Sequence, residues 1–155
     1  MILDELGLEL KQAKTRIVHL KEGGEGLDFL GFHHRWVRGD TPASRHLRFL
    51  VRRPSRRAMR RARDRVGEIT DRRRLLVPVD EVVQDVNQFL RGWAGYFRYG
   101  NSAHAFDQIM YNALVRLARF TAERHKRTTR YGWWAVVYQS PNRMGLINPS
   151  RFGDW

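Results

Sequence analysis

The stretch FLRGWAGYFRYG, residues 89–100, crowds five aromatic rings, Arg91, Arg98 and two interior glycines into a dozen positions. Its periodicity decides what it is. Val82, Val86, Phe89 and Leu90, Trp93 and Phe97 recur every three or four residues, which lines them along one side of an α-helix. Gln84, Gln88, Arg91, Gly95 and Arg98 follow the same spacing along another side. One side packs, with Trp93 and Phe97 in the core, and the other is available to a partner. A glycine inside a helix costs about 1 kcal/mol relative to alanine. Gly92 and Gly95 therefore predict that something, a second helix or a phosphate backbone, comes close to this helix.

Working outward, Pro78 followed by Asp80 and Glu81 starts the helix, because carboxylates are favourable in a first turn, and Gly100 stops it. Asn101 or Ser102 caps a following helix that runs to about Lys126, with Phe106, Ile109 and Met110, Ala113 and Leu114, Leu117 and Phe120 as its apolar stripe. On the N-terminal side Pro54 and Ser55 offer a break and a cap for a helix from Arg56 to about Thr70, whose stripe is Met59, Ala62, Val66 and Ile69. Residues 71–77 link the two. Three amphipathic helices with short connections predict a mainly α chain built on a three-helix bundle.

The ends are less regular. Residues 2–10 form a short amphipathic segment without a cap. Lys14 to Leu20 and Leu27 to Val37 read as two strands of a β-hairpin closed by the glycine-rich turn at 22–26, with a short extended run from Arg45 to Arg53 beyond it. A lone hairpin is marginal in water, so it calls for a sheet that the sequence does not evidently supply. RYGWWAVVYQ, residues 130–139, reads as a short strand or an extra turn; as a strand, alternation sends one of Trp133 and Trp134 inward and the other outward. These readings divide the chain into residues 1–53, 54–130 and an aromatic tail, 131–155.

Charge points to the partner. The 155 residues hold 29 Lys and Arg against 16 Asp and Glu, a formal net charge of +13. Between Arg45 and Arg74 lie thirteen arginines against Asp64, Glu68 and Asp71, a local net charge of +10. A solvated basic face is the plain alternative. Like charges at this density repel, however, and phosphates relieve that repulsion; the guanidinium fork suits phosphate better than an ammonium. The absence of cysteine excludes disulfides, thiolate metal sites and thiol catalysis, and fits a reducing cytoplasm. No signal peptide is evident and no run reaches transmembrane length, so a membrane is not an expected partner.

Three motifs together resemble one family. LGLELKQAKTRIVHL at 6–20 and GLDFLGFHHRW at 26–36 resemble the last palm segment of group II intron reverse transcriptases, and RGWAGYFRYGNS at 91–102 resembles the signature of their maturase-specific, thumb-like domain. The resemblance spans about residues 3–130. It implies a helical thumb preceded by a hairpin left over from the palm, binding group II intron RNA or other structured RNA for splicing and reverse transcription. Polymerisation in that family needs Mg²⁺ on palm aspartates, two of them adjacent. This chain contains no Asp-Asp pair. The resemblance therefore implies no catalytic residue here and no cofactor, with Mg²⁺ entering only if a separate finger-palm chain supplies the palm. Half of a split polymerase, a truncated remnant and an unrelated basic DNA-binding domain stand as alternatives.

The expected RNA contacts follow the charge. Arg52, Arg53, Arg56, Arg57, Arg60, Arg61 and Arg63 form a comb suited to the phosphate backbone, which positions RNA without reading its sequence. Arg91 and Arg98 lie on the polar side of the signature helix. Tyr96 and Tyr99, off the apolar stripe, are candidates for stacking or for hydroxyl contacts. Arg116, Arg119, Lys126, Arg127 and Arg130 extend the basic theme, although cations near a helix C-terminus also complement its dipole. His33 and His34 are adjacent on a strand, point to opposite faces and lack a ligand cluster around them, so a metal site is not expected.

Overall fold

The computed structural model describes Leu20, residues 23–138 and residues 145–147. The predicted segment at 2–10 and the strand from Lys14 lie outside the described residues, Leu20 excepted. A small antiparallel sheet, β1 (Leu27–Phe29), β2 (Phe32–Arg38) and β3 (Arg48–Pro54), precedes the helices α1 (Arg56–Ile69), α2 (Val79–Phe97), α3 (Ala103–Arg124) and α4 (Thr129–Trp133). A 3₁₀ turn at Arg72–Arg74 joins α1 to α2, and one π-helical turn, Trp134–Tyr138, extends α4. The chain is mainly α, as expected.

The helices form where their stripes require. Ser55 caps α1, its hydroxyl accepting from the Ala58 amide at 3.2 Å, and Met59, Ala62, Val66 and Ile69 are buried. They meet Val82, Val83, Val86 and Leu90 of α2 and Ile109, Ala113, Leu117 and Phe120 of α3 in the main core. Ser102 occupies the N-cap position of α3 without capping it. Its buried hydroxyl turns back and donates to the Phe97 carbonyl at 2.8 Å, closing the end of α2 instead.

Arginines that look like surface charge lock the corners. Arg124 donates to the carbonyls of Leu75 and Val77, and Arg74 donates to the Ile69 carbonyl at 3.0 Å while pairing with Asp85 at 2.6 Å. Asn87 clasps a distant segment with both ends of its amide. It donates to the Gly145 carbonyl at 2.6 Å and accepts from the Ile147 amide at 2.9 Å, which seats Leu146 in the core.

The sheet departs from the expected hairpin. Leu27 to Val37 is not one strand: it folds on itself at Leu30 and Gly31, where φ is +48° and +81°, so that Phe29 pairs with Phe32. Positive φ at both central residues is the backbone of a type I′ turn, whose twist matches that of flanking strands. The missing sheet is supplied from within the chain. The extended run near Arg45–Arg53 becomes β3 and pairs with β2 along its whole length, from Phe32 with Pro54 to Arg38 with Arg48.

The sheet is seated on the signature helix. Phe32 stacks on Tyr96 with 5.7 Å between ring centroids and meets Phe97 edge-on at 4.9 Å. Trp93 bridges Phe97 and Phe106 at 4.9 and 5.6 Å. Phe97, Ala94 and Phe106 thereby form a second buried cluster beneath the sheet. The free edge of β3 is closed by the α2–α3 connection, since the Asn101 amide donates to the Arg52 carbonyl at 2.6 Å and the Asn101 side chain accepts from the Arg52 amide at 3.2 Å.

Candidate nucleic-acid interface

The first half of α1 concentrates unneutralised charge. Arg56, Arg57, Arg60, Arg61 and Arg63 are all exposed, and among the described residues no carboxylate pairs with any of them; only Arg63 reaches a side chain, the Gln108 carbonyl oxygen at 3.4 Å. The acids of this helix sit in its second half, where Glu68 is taken by Arg65 at 2.8 Å. The first turn contains no acid at all. Cations at the electropositive end of a helix are disfavoured by the dipole, so folding alone gives no reason for Arg56 and Arg57 to be there.

The comb continues into a groove. Register places His33, Arg35, Val51 and Arg53 on one face of the sheet. That face, with Arg56 and Arg63 of α1 and His104 and Gln108 of α3, walls a groove of about 990 Å³. Two carboxylates share it, Glu25 and Asp28, and Asp28 is bonded to the Nδ1 atom of His33 at 2.6 Å. Arg52, also exposed, points from the opposite face of β3. His104 and Gln108, bonded to each other at 2.9 Å, are groove residues that periodicity did not single out; their only signal was their place in the exposed first turns of α3.

On α2 the polar side is exposed as expected, through Gln84, Gln88, Arg91, Gly95 and Arg98. Among the described residues nothing approaches Gly92 or Gly95: a Cβ at either would meet none of their atoms within 4 Å. The predicted neighbour is therefore not one of the described helices. Gln88, one turn before Gly92, lines a cleft of about 450 Å³ between α1 and α2 with Arg65, Arg74 and Asp85. Tyr99 is two-thirds exposed and carries the Arg98 guanidinium 4.7 Å above its ring. Tyr96 is different. Its hydroxyl donates to the Leu30 carbonyl at 2.7 Å and its ring stacks on Phe32, so it fastens the sheet to α2 while half its surface stays open.

At the other end of the bundle Arg119, Lys126, Arg127 and Arg130 are exposed. Arg116 is not equivalent to them. It is half-buried and donates to the Gly67 carbonyl at 3.0 Å and the Thr70 hydroxyl at 3.2 Å, holding α3 against α1. Its guanidinium is engaged within the fold, unlike those of the exposed candidates. Trp133 packs against the core and Trp134 is 48% exposed; the one-in, one-out arrangement arises in helical turns and not in a strand.

Among the described residues no group of three or more His, Asp or Glu converges in a way that suits a metal ion. No described helix is long and apolar enough to cross a membrane. No curated protein matches the chain. The family model of the group II intron maturase-specific domain matches residues 59–138, from the α1 stripe through the π-helical turn after α4. That match covers more than half of the sequence and includes the Gly-Trp-Ala-Gly-Tyr-Phe core at 92–97, so the chain belongs to the group II intron maturase-specific domain family.

Proposed function

We propose that the chain binds structured RNA of a group II intron and acts by clamping it, stabilising a fold or a template-primer geometry needed for splicing or reverse transcription. The observation that carries this reading is the N-terminal half of α1, where Arg56, Arg57, Arg60 and Arg61 stand exposed without an acidic partner among the described residues, beside a groove lined by Arg35 and Arg53. Released counterions drive such binding, and base identity contributes little to it. Arg91 on α2 and Arg98 and Tyr99 in the turn that follows it, with Gly92 and Gly95 leaving the helix surface bare, favour a second strand of contact there.

The test is affinity for a structured intron RNA measured across a salt series. Replacing Arg56, Arg57, Arg60 and Arg61 together by Ala should weaken binding across RNA sequences and flatten the salt dependence by roughly 0.7–0.9 per lost phosphate contact. An unchanged slope removes the phosphate assignment. One observation favours a second reading, in which a separate finger-palm chain completes a polymerase: Phe29, Leu30 and Leu50 of the sheet are exposed at 59%, 68% and 41%. Co-expression with such a chain, followed by primer extension, tests it; neither a complex nor activity disposes of it.

A further inference from the structure

The C-terminal corner of the bundle carries a partly exposed aromatic set. The His125 ring meets Tyr131 edge-on at 5.8 Å, and Tyr131 lies 6.1 Å from Trp134 with the two planes 36° apart. His125 is exposed and the Trp134 indole is 48% exposed. Aromatic rings of this size gain most when buried, so their exposure needs a reason. The corner is also closely packed beneath the rings. Gly132 brings α4 directly onto α3, and a Cβ there would overlap the Ala118 carbonyl. This close contact seats Tyr131, and Trp134 just beyond it, against the side of α3.

The charged residues that share residues 125–134 with these rings are all cations. Lys126, Arg127 and Arg130 are exposed and have no ion pair among the described residues, and the sequence holds no acid between Glu123 and Asp154. Arg130 lies one helical turn before Trp134, whose amide donates to its carbonyl. Lys126 sits at the left-handed position that ends α3, with φ +51°, a conformation in which a non-glycine side chain is uncommon. An exposed indole in a stretch whose charged residues are all basic suits a base with phosphates on either side.

We infer that the Trp134 corner is a second nucleic-acid subsite, taking an unpaired RNA segment by stacking a base on the indole while Lys126, Arg127 and Arg130 neutralise the flanking phosphates. A duplex, whose bases are stacked inside, gives this surface nothing but charge. The subsite rests on the RNA-binding reading above, yet it selects a different form of RNA from the α1 comb.

The experiment measures binding of a 12-nucleotide single-stranded RNA, the same backbone with abasic positions, and a duplex RNA, by the wild-type chain, Trp134→Ala, Trp134→Phe and the α1 arginine variant. Trp134→Ala should weaken single-strand binding about five- to 150-fold, the range typical of one lost stacked base. It should leave duplex affinity within about twofold, with partial recovery in Trp134→Phe. The abasic strand should bind the wild type as weakly as the intact strand binds Trp134→Ala. Circular dichroism of Trp134→Ala should match wild type, since the indole is half in solvent; if that variant is unfolded, the intact-versus-abasic comparison on the wild type decides alone. Equal binding of intact and abasic strands overturns the subsite while leaving the comb in place. Failure of the wild type to bind any of the three RNAs overturns both.

Discussion

The hydroxyl of Tyr96 donates to the carbonyl of Leu30 at 2.7 Å, across 66 residues of sequence. This single bond joins the signature helix to the strained turn of the sheet, where Leu30 is held at φ +48° and Gly31 at +81°. It also gives the aromatic letters of that helix unequal jobs. Phe97 is buried, Tyr96 is a fastener, and Tyr99 is exposed and bonded to Arg98.

Tyr96→Phe keeps the ring on Phe32 and removes only the hydroxyl. Because the Leu30 carbonyl lies near the surface, water can take the place of the lost donor. The expected loss is about 0.5–1.5 kcal/mol of unfolding free energy, read from urea denaturation. RNA affinity should stay within about twofold of wild type. A tenfold loss of affinity with unchanged stability would return Tyr96 to the binding surface.

Arg116 and Arg60 test the same distinction among arginines. Arg116 holds the Gly67 carbonyl and the Thr70 hydroxyl, whereas Arg60 is exposed and has no ion pair among the described residues. Arg116→Ala should cost about 1.5–3 kcal/mol, the range for a charged donor removed from its acceptors, and leave the salt slope of RNA binding unchanged. Arg60→Ala should do the reverse, with stability within about 0.5 kcal/mol of wild type and a shallower slope. A flattened slope in Arg116→Ala at preserved stability contradicts its structural assignment.

These contrasts mark what the sequence can disclose. The stripe of α1 is legible because Met59, Ala62, Val66 and Ile69 repeat at the helical period, and Ser55 is legible because a hydroxyl before a helix has one local use. The turn at Leu30 and Gly31 is hidden. Phe-Leu-Gly-Phe lacks the Asn-Gly or Asp-Gly that announces a type I′ turn, and the apolar alternation reads straight through it. Arg116, Arg119 and Arg124 carry the same letter, yet two of them meet backbone carbonyls more than 45 residues away and the third faces solvent. Asn87 offers no local signal at all for its clasp on Gly145 and Ile147. Exposure of the α1 comb was legible because its arginines fall outside the stripe; the groove beside it was not, because it depends on which strand β2 pairs with.

Lys126 joins stability to the inferred subsite. The end of α3 closes in a Schellman arrangement, with the Arg127 amide donating to the Ala122 carbonyl at 2.8 Å and the Lys126 amide to that of Glu123 at 3.1 Å. The residue at the centre of this arrangement is usually glycine, because a Cβ in the left-handed region costs about 1 kcal/mol. Lys126→Gly relieves that strain but gives up a cation favourable at a helix C-terminus, worth about 0.3–1 kcal/mol. The net expectation is a gain of about 0.5 kcal/mol, seen as a higher urea midpoint at unchanged m-value. If Lys126 is kept for a phosphate next to the base on Trp134, the same variant should bind single-stranded RNA more weakly, with a salt slope shallower by about 0.7. A more stable chain with undiminished single-strand binding would show that the lysine serves neither the fold nor the RNA at this position.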